Sequence, residues 1–224
     1  SLLSFGQAEW VSLTNNENTK VEKFKPELVQ CDGSRVVVSF SIDGFYMVQT
    51  PTHKVTSHIP QLPGAGRLLQ ESHPDLIKLT ASVIIPDNAA VSVNVNESEY
   101  IEFTNIEIAP SKGNLYRNQN PDDIPFVYGE SYQKNEFYPG KLADFDNPYI
   151  IRDIRGLAIH AYPLQYNPVT KVLRVYHTIV LEVAETEGEI INPLIQTKSN
   201  KNTITEFANV YESHFINYKS NLKQ

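Results

Sequence analysis

The segment YIIRDIRGLAIHAYPLQYNPVTKVLRVYHTIVLEV, residues 149–183, indicates the fold class most clearly. Its NPVT turn, residues 167–170, separates two runs that are rich in apolar residues. The fixed φ of proline suits the second position of a type I turn. After the turn, the side chains at every second position from Leu173 to Val183 are apolar, except for His177. This spacing predicts a hairpin whose second strand is long and has one buried face.

Short strands of the same kind recur in the rest of the chain. β-branched and aromatic runs such as RVVVSFSIDGFYMVQT (35–50) and LIKLTASVIIP (76–86) are bounded by turn-forming residues. Asp43-Gly44 lies at the centre of the first run and is a pair that favours tight hairpins, so we expect a hairpin there. Only 203–219 has apolar residues at steps of three and four, which predicts an amphipathic helix. The sequence therefore predicts an all-β fold with one C-terminal helix.

Composition and charge argue against two classes of partner. The chain has 224 residues and a formal net charge of −7, and its 19 Lys and Arg residues are scattered rather than clustered. Nucleic-acid binding needs a clustered basic surface. No apolar run approaches the roughly 20 residues of a membrane-spanning helix, and no signal-peptide pattern opens the chain. We expect no nucleic-acid or membrane partner, and we expect any signal peptide to be absent from this sequence.

Patterns typical of enzymes and metal sites are weak. Cys31 is the only cysteine, and it could form a nucleophilic pair with His53 or His58. A lone cysteine beside a β-branched run is more often a small buried hydrophobe. The six histidines lack the spacing that places two imidazoles on one metal. Asp122 and Asp123 follow Asn-Pro and are ordinary turn residues. We expect no active site, no metal and no cofactor in this chain.

Several segments, taken in order, resemble a known family. They are APSKG (109–113), NPDDIPFVYGESY (120–132), FYPGKLADFDNPYIIRDIRG (137–156), PLQYNPVTKVLRVY (163–176) and, near the end, FANVYESHFINY (207–218). Together they resemble the N-terminal propeptide of the gingipain family of cysteine peptidases, family C25, and above all its arginine-specific members. An ordered set of long matches is more specific than any single short motif.

The resemblance implies a fold, a partner and a location. The fold would be a jelly-roll-like β-sandwich over 1–203, followed over 204–224 by the helix and a linker toward a catalytic domain. The chain would not be an enzyme. It would be an inhibitory prodomain that keeps the cysteine peptidase downstream of it latent and assists its folding. The precursor would pass through the periplasm of a Gram-negative bacterium and be secreted or held at the cell surface.

The resemblance also places Arg117 where a propeptide side chain enters the primary specificity pocket of the enzyme. A guanidinium suits such a pocket because its planar fork of donors can pair bidentately with a carboxylate. Lys112 is the competing anchor, since lysine-specific relatives exist. A solvated loop charge is the alternative interpretation of Arg117. The predicted inhibitory loop contains Arg117, Asn118, Asn120, Pro121 and Lys112.

Other residues of the matching region are candidates for the interface with the peptidase. They are Tyr128, Tyr132, Phe137, Tyr138 and Arg155. Aromatic side chains are enriched in protein interfaces, but the four named here could equally belong to the core. An alternative function is a non-catalytic carbohydrate-binding or adhesin-type β-sandwich module, which the ten Phe and twelve Tyr residues would suit.

Overall fold

The fold is built almost entirely from β-strands, in a computed structural model that describes residues 8–14, 23–195 and 205–221. Its strands in these ranges are β1 (Ala8–Ser12), β2 (Glu27–Cys31), β3 (Arg35–Ser41), β4 (Gly44–Pro51), β5 (Thr56–Gln61), β6 (Gly66–Arg67), β7 (Ile77–Ile84), β8 (Ala90–Phe103), β9 (Ala143–Phe145), β10 (Tyr149–Ile151), β11 (Ile154–Ala161), β12 (Leu164–Asn167) and β13 (Val172–Thr186). Its helices are α1 (Thr205–His214) and α2 (Tyr218–Asn221), and short 3-10 turns span Pro121–Asp123 and Glu130–Gln133.

The strands form three antiparallel sheets. The first contains β1, β4 and β5 in the order β1-β4-β5. The second has the order β10-β11-β7-β6, with β9 also paired to β11. The third has the order β12-β13-β3-β2, and β8 pairs along most of β13. The predicted all-β class is therefore confirmed.

One apolar core joins the second and third sheets. It contains Leu79 of β7 and Ile159 of β11 from the second sheet, and Phe40 of β3 and Leu181 of β13 from the third, all 0 or 1% exposed. Phe45 of β4 belongs to the same cluster and brings the first sheet onto it. Strands whose apolar and polar side chains alternate each bury one face in this way, and the burial of these apolar faces is the main stabilising contribution in such a fold. The expected β-sandwich is confirmed.

The hairpin predicted around residues 167–170 is present. β12 and β13 pair from Leu164 opposite Val175 to Asn167 opposite Val172. The side-chain oxygen of Asn167 accepts hydrogen bonds from the backbone N–H groups at 169 and 170, at 3.1 and 3.2 Å, and so tightens the turn. A bulge beside His177 interrupts the alternation that the sequence predicts, because the ladder with β8 shifts register there.

The hairpin predicted over 35–50 is wrong, because β3 and β4 belong to different sheets. The chain crosses between sheets at Asp43-Gly44, so that each strand gains a neighbour on both sides. Gly44 does not adopt the positive φ of a tight hairpin turn. A Cβ atom there would lie 2.4 Å from the Trp10 ring, so glycine is needed for this close approach.

The predicted C-terminal helix is present as α1, followed by the single turn α2. Tyr211, Phe215 and Tyr218 form a second apolar cluster that packs against the end of β7 and against β10. Asn217, which is fully buried, accepts from Ile84 N at 2.8 Å and donates to Ile84 O at 3.0 Å. The helical segment is thus fixed to the second sheet by an amide that pairs like a neighbouring strand. None of the described helices has the length and apolar character needed to cross a membrane.

Arg155, one of the candidates for the interface, is buried within the domain. It is 1% exposed, and its guanidinium donates to four backbone carbonyl oxygens. These acceptors are Pro86 O at 2.5 Å, Ala89 O at 2.9 Å, Ile191 O at 2.7 Å and Asn192 O at 3.0 Å. Arg155 therefore ties the connection after β7 to the segment that follows β13.

We expect Arg155→Ala to lower the free energy of unfolding by at least about 2 kcal/mol, because it leaves four carbonyls without their charged donor. Urea denaturation of the purified chain measures this change. Arg117→Ala, which removes an exposed arginine, is the matched control and should stay within about 0.5 kcal/mol of wild type. Equal stability of Arg155→Ala and Arg117→Ala would contradict the structural role of Arg155.

Candidate functional site

The segment that contains Arg117 leaves the body of the protein at one narrow point. The backbone N–H of Ser72 donates to Ser111 O at 3.0 Å, and Gly129 N–H donates to Ser72 O at 3.0 Å. Residues 112–128, called here the 112–128 loop, therefore begin and end beside the same residue. We call this pair of hydrogen bonds the neck of the loop.

Two glycines shape the neck. A Cβ atom on Gly129 would lie 2.8 Å from Ser72 O, which is closer than Cβ atoms approach in proteins. Gly113 has a φ of +74°, in the left-handed region that favours glycine, and its N–H donates to Ser111 Oγ at 3.1 Å. Both glycines are thus required by the local backbone geometry.

Residues 107–109, just before the loop, pair with β5 through backbone hydrogen bonds. The carbonyl oxygen of His58 on β5 accepts from Ala109 N–H at 2.9 Å, and the backbone N–H of His58 donates to Glu107 O at 2.7 Å. On the other side, Asp75 N–H donates to Ala109 O at 3.0 Å. Ile108 and Ala109 are fully buried. The loop therefore starts from a rigid base between the first sheet and the connection that precedes β7.

Arg117 lies at the tip of the loop in a closed turn. Gln119 N–H donates to Tyr116 O at 2.9 Å, so Arg117 and Asn118 occupy the two central positions. Tyr116 N–H donates in return to the side-chain oxygen of Gln119, at 2.7 Å. Arg117 is exposed. Within the ranges that the structure describes, its guanidinium makes no hydrogen bond, ion pair or ring contact, and it is available to a partner.

Lys112, the competing anchor, is engaged inside the loop. Its ammonium donates to Pro121 O at 2.7 Å and lies 4.1 Å from the centroid of the Phe126 ring. A cation at this distance from an aromatic face is attracted to it. Lys112 therefore braces the two sides of the loop against each other.

Asn120 and Pro121 stiffen the side of the loop that follows the tip. The Asn120 side chain accepts from Asp122 N–H at 3.2 Å, and Pro121 opens the 3-10 turn that Ile124 N–H closes at 3.2 Å. The fixed φ of proline suits this first position. Asp122 is exposed, as expected for a turn residue.

Tyr128 and Tyr132 connect the end of the loop to the β4–β5 hairpin and to the segment that precedes the loop. The hydroxyl of Tyr128 lies 2.9 Å from Thr52 Oγ1 at the tip of the β4–β5 hairpin, and its ring contacts the Tyr132 ring with centroids 4.8 Å apart. Tyr132 donates to Ile108 O at 3.0 Å, and burial raises the pKa of its hydroxyl. Both side chains join the loop to its base.

Phe137 and Tyr138 also contact the body of the protein. The Arg174 guanidinium lies 4.1 Å from the centroid of Phe137. Tyr138 donates from its hydroxyl to Gln70 Oε1 at 2.9 Å and exchanges two backbone hydrogen bonds of 2.9 Å with Tyr166. Burial raises the pKa of Tyr138 to about 12. Tyr128 and Tyr132 thus lie at the end of the loop, whereas Phe137 and Tyr138 contact other parts of the domain, and none of the four lies at the tip of the loop.

The alternative nucleophile is not assembled in the described part of the chain. The Cys31 sulfur is 3.8 Å from the Asn217 amide. His53 instead contacts the Tyr128 ring, and His58 lies beside Glu107. Over residues 8–14, 23–195 and 205–221, no three His, Cys, Asp or Glu residues are arranged to hold a metal ion.

Sequence reasoning missed three residues that position the loop, namely Ser72, Gln119 and Gly129. Gly129 lies inside a segment that resembles the family, so its role as a neck residue had a detectable signal. Ser72 acts only through its backbone, and Gln119 acts through a bond to the backbone three residues earlier. Neither interaction leaves a recognisable pattern in a single sequence.

Comparison with known proteins gives a consistent family. The model of the family C25 propeptide (Propeptide_C25) matches residues 21–224. The chain is 37% identical over 193 residues to gingipain R2 of Porphyromonas gingivalis, and this alignment covers 86% of the chain and 26% of that protein. The chain is 36% identical over 212 residues to gingipain R1 of Porphyromonas gingivalis, and this alignment covers 95% of the chain and 20% of that protein. The chain thus spans about a quarter or less of the length of these relatives.

Solved structures agree with the sequence comparison. One, titled "Complex of Porphyromonas gingivalis RgpB pro- and mature domains", aligns with a TM-score of 0.79 and 36% identity over 87% of this chain and 97% of that one. Another, on the zymogenic latency of gingipain K from Porphyromonas gingivalis, has a TM-score of 0.66 at 19% identity over 81% of this chain and 100% of that one, and it supports the fold alone. The match to the family model and the similarity to these relatives show that the chain belongs to the propeptide family of the C25 cysteine peptidases, the gingipains, and is a non-catalytic propeptide.

Proposed function

We propose that this chain keeps a downstream gingipain-like cysteine peptidase latent, with the side chain of Arg117 bound in the primary specificity pocket of that enzyme. The observation that carries the proposal is the exposed Arg117 guanidinium, which has no partner among the described residues and lies at the tip of a braced turn. The solved complex of the RgpB pro- and mature domains supports the catalytic domain as the partner.

Arg117 suits the pocket better than Lys112 does, for an energetic reason. Binding through Lys112 would break its 2.7 Å hydrogen bond to Pro121 O and its contact with Phe126. Binding through Arg117 breaks no hydrogen bond, ion pair or ring contact with the residues that the structure describes. A loop that is already ordered also loses little conformational freedom on binding, which favours tight association.

The proposal extends to folding and location. As a compact domain that binds the catalytic domain, the chain would assist the folding of that domain within the precursor. The precursor would be exported through the periplasm of a Gram-negative bacterium and secreted or retained at the cell surface, in line with its gingipain relatives. The carbohydrate-binding alternative rests on composition: the exposed aromatic residues Tyr100, Tyr116 and Phe145 lie on β8, in the 112–128 loop and on β9.

We expect Arg117→Ala to raise the inhibition constant of the chain against its own peptidase by roughly 30-fold or more. Truncating one partner of a buried charge pair costs about 2–5 kcal/mol, and about 1.4 kcal/mol corresponds to a tenfold change. Arg117→Lys should fall between wild type and Arg117→Ala, because an ammonium loses the bidentate geometry. Titration of the purified peptidase with each variant measures these constants.

Lys219→Ala is the control for loss of a positive charge, because Lys219 lies on α2 and pairs with Glu212. It should inhibit like wild type. If Arg117→Ala also inhibits like wild type, the proposed mechanism is wrong. If Lys112→Ala abolishes inhibition while Arg117→Ala does not, the anchor is Lys112.

We expect Gly129→Ala to weaken inhibition about tenfold without unfolding the sandwich, because the added Cβ pushes Ser72 O away and widens the neck. Overpacking of this kind costs about 1–3 kcal/mol, and a tenfold change is about 1.4 kcal/mol. Gly66→Ala is the matched control, since a Cβ there meets its nearest neighbour, Lys78 O, at an ordinary 3.6 Å. Inhibition constants and melting temperatures of both variants are the measurement, and equal inhibition by the two would show that the neck does not control the loop.

A further inference from the structure

We infer that Gln119 is the positioning residue that lets the loop present Arg117 without being cut, because its side chain closes the turn around the peptide bond between Arg117 and Asn118. The inference rests on the proposed function for its biological meaning. The resistance to cleavage is a property of the free chain, and it can be measured without the cognate enzyme.

Gln119 occupies both backbone groups of the residue before the arginine. Its N–H donates to Tyr116 O at 2.9 Å, and its side-chain oxygen accepts from Tyr116 N–H at 2.7 Å. A peptide that binds in extended form uses such main-chain groups to pair with its host. In this turn the two groups of Tyr116 are already paired inside the loop. The chain around Arg117 is therefore held out of the extended form.

Hydrolysis of the peptide bond between Arg117 and Asn118 requires a particular geometry around the Arg117 carbonyl group. Hydrolysis adds water across the bond between the carbonyl carbon of Arg117 and the nitrogen of Asn118, leaving a carboxylate on the first and an amine on the second. The attacking atom has to approach the carbonyl carbon to about 3–3.5 Å, while the carbonyl oxygen faces the donors that stabilise the developing charge. A closed turn folds the leaving side of the bond back toward Tyr116. Cleavage therefore requires the turn to open first, and its hydrogen bonds oppose that opening.

A second set of contacts bridges the same bond from further away. Lys112, before the arginine, donates to Pro121 O, after it, at 2.7 Å, and lies 4.1 Å from the Phe126 ring centroid. The neck at Ser72 joins the two outer ends of the loop. A chain cut after Arg117 would keep its new ends close together, at a high effective concentration. These contacts hold the loop in place, whereas the Gln119 side chain closes the turn itself.

Two substitutions of Gln119 distinguish the role of its side-chain oxygen from that of its backbone. Glutamate has the same length and keeps an acceptor oxygen for Tyr116 N–H, whereas alanine has none. Gln119→Glu should therefore keep the turn closed, and Gln119→Ala should loosen it. The backbone hydrogen bond from 119 to 116 remains possible in both variants, so the comparison isolates the side chain.

The test uses trypsin, which cuts after Arg and Lys, as the probe on the intact chain. Mass spectrometry follows the fragment that ends at Arg117, and the cut after the exposed Lys134 reports any general loosening. We expect Gln119→Ala to be cut after Arg117 about five times faster than wild type, the effect of about one hydrogen bond at 1.4 kcal/mol per tenfold. Gln119→Glu should be cut within about twofold of the wild-type rate.

Three results would overturn the inference. Equal rates after Arg117 in wild type and Gln119→Ala would show that the side chain does not protect the bond. Equal acceleration after Arg117 and after Lys134 would show general unfolding instead of a local effect. A Gln119→Glu rate as high as that of Gln119→Ala would show that the acceptor oxygen is irrelevant. None of these results depends on inhibition of the cognate peptidase, so failure here and failure of the proposed function are distinguishable.

Discussion

Two backbone hydrogen bonds at Ser72 close the neck on which the presentation of Arg117 depends. Because Ser111 and Gly129 meet at one residue, the intervening loop can be exposed while its ends stay fixed. An exposed loop without such a neck would lose more conformational freedom on binding, and its affinity would fall accordingly. The turn at the tip and the Lys112 brace then determine which cation faces outward.

The sandwich provides the stiffness that the neck requires. The base of the loop bonds to β5 on one side and to the connection before β7 on the other. The end of β7 is held by the Asn217 amide, and the connection that follows it by the Arg155 guanidinium. β5 and the connection before β7 thus keep the base of the loop in one position, while the other two contacts fix the far end of β7. A rigid domain that presents a short exposed segment is a common way for a scaffold to carry a binding site.

Local signals predicted more of this molecule than distant ones did. The turn at 167–170 was predictable because its residues determine its geometry. Arg117 was selected as the anchor because the segments around it resemble a family, and its role as the anchor stays a prediction. The partners of the strands in 35–50 were not predictable, since Asp-Gly is compatible with both a hairpin and a crossing between sheets. The burial of Arg155 was not predictable, because its acceptors are distant in sequence. Ser72 acts through its own backbone, and the Gln119 side chain pairs with a backbone N–H group. A single sequence gives no sign of either contact.

A crystal structure of the chain bound to its cognate catalytic domain would show which side chain fills the primary specificity pocket. We expect the Arg117 guanidinium there, paired with a carboxylate by two hydrogen bonds, and the turn from 116 to 119 still closed by the Gln119 side chain. We also expect Lys112 to keep its hydrogen bond to Pro121 O. A pocket that holds Lys112, or one that no side chain of the 112–128 loop enters, would show that Arg117 is not the anchor.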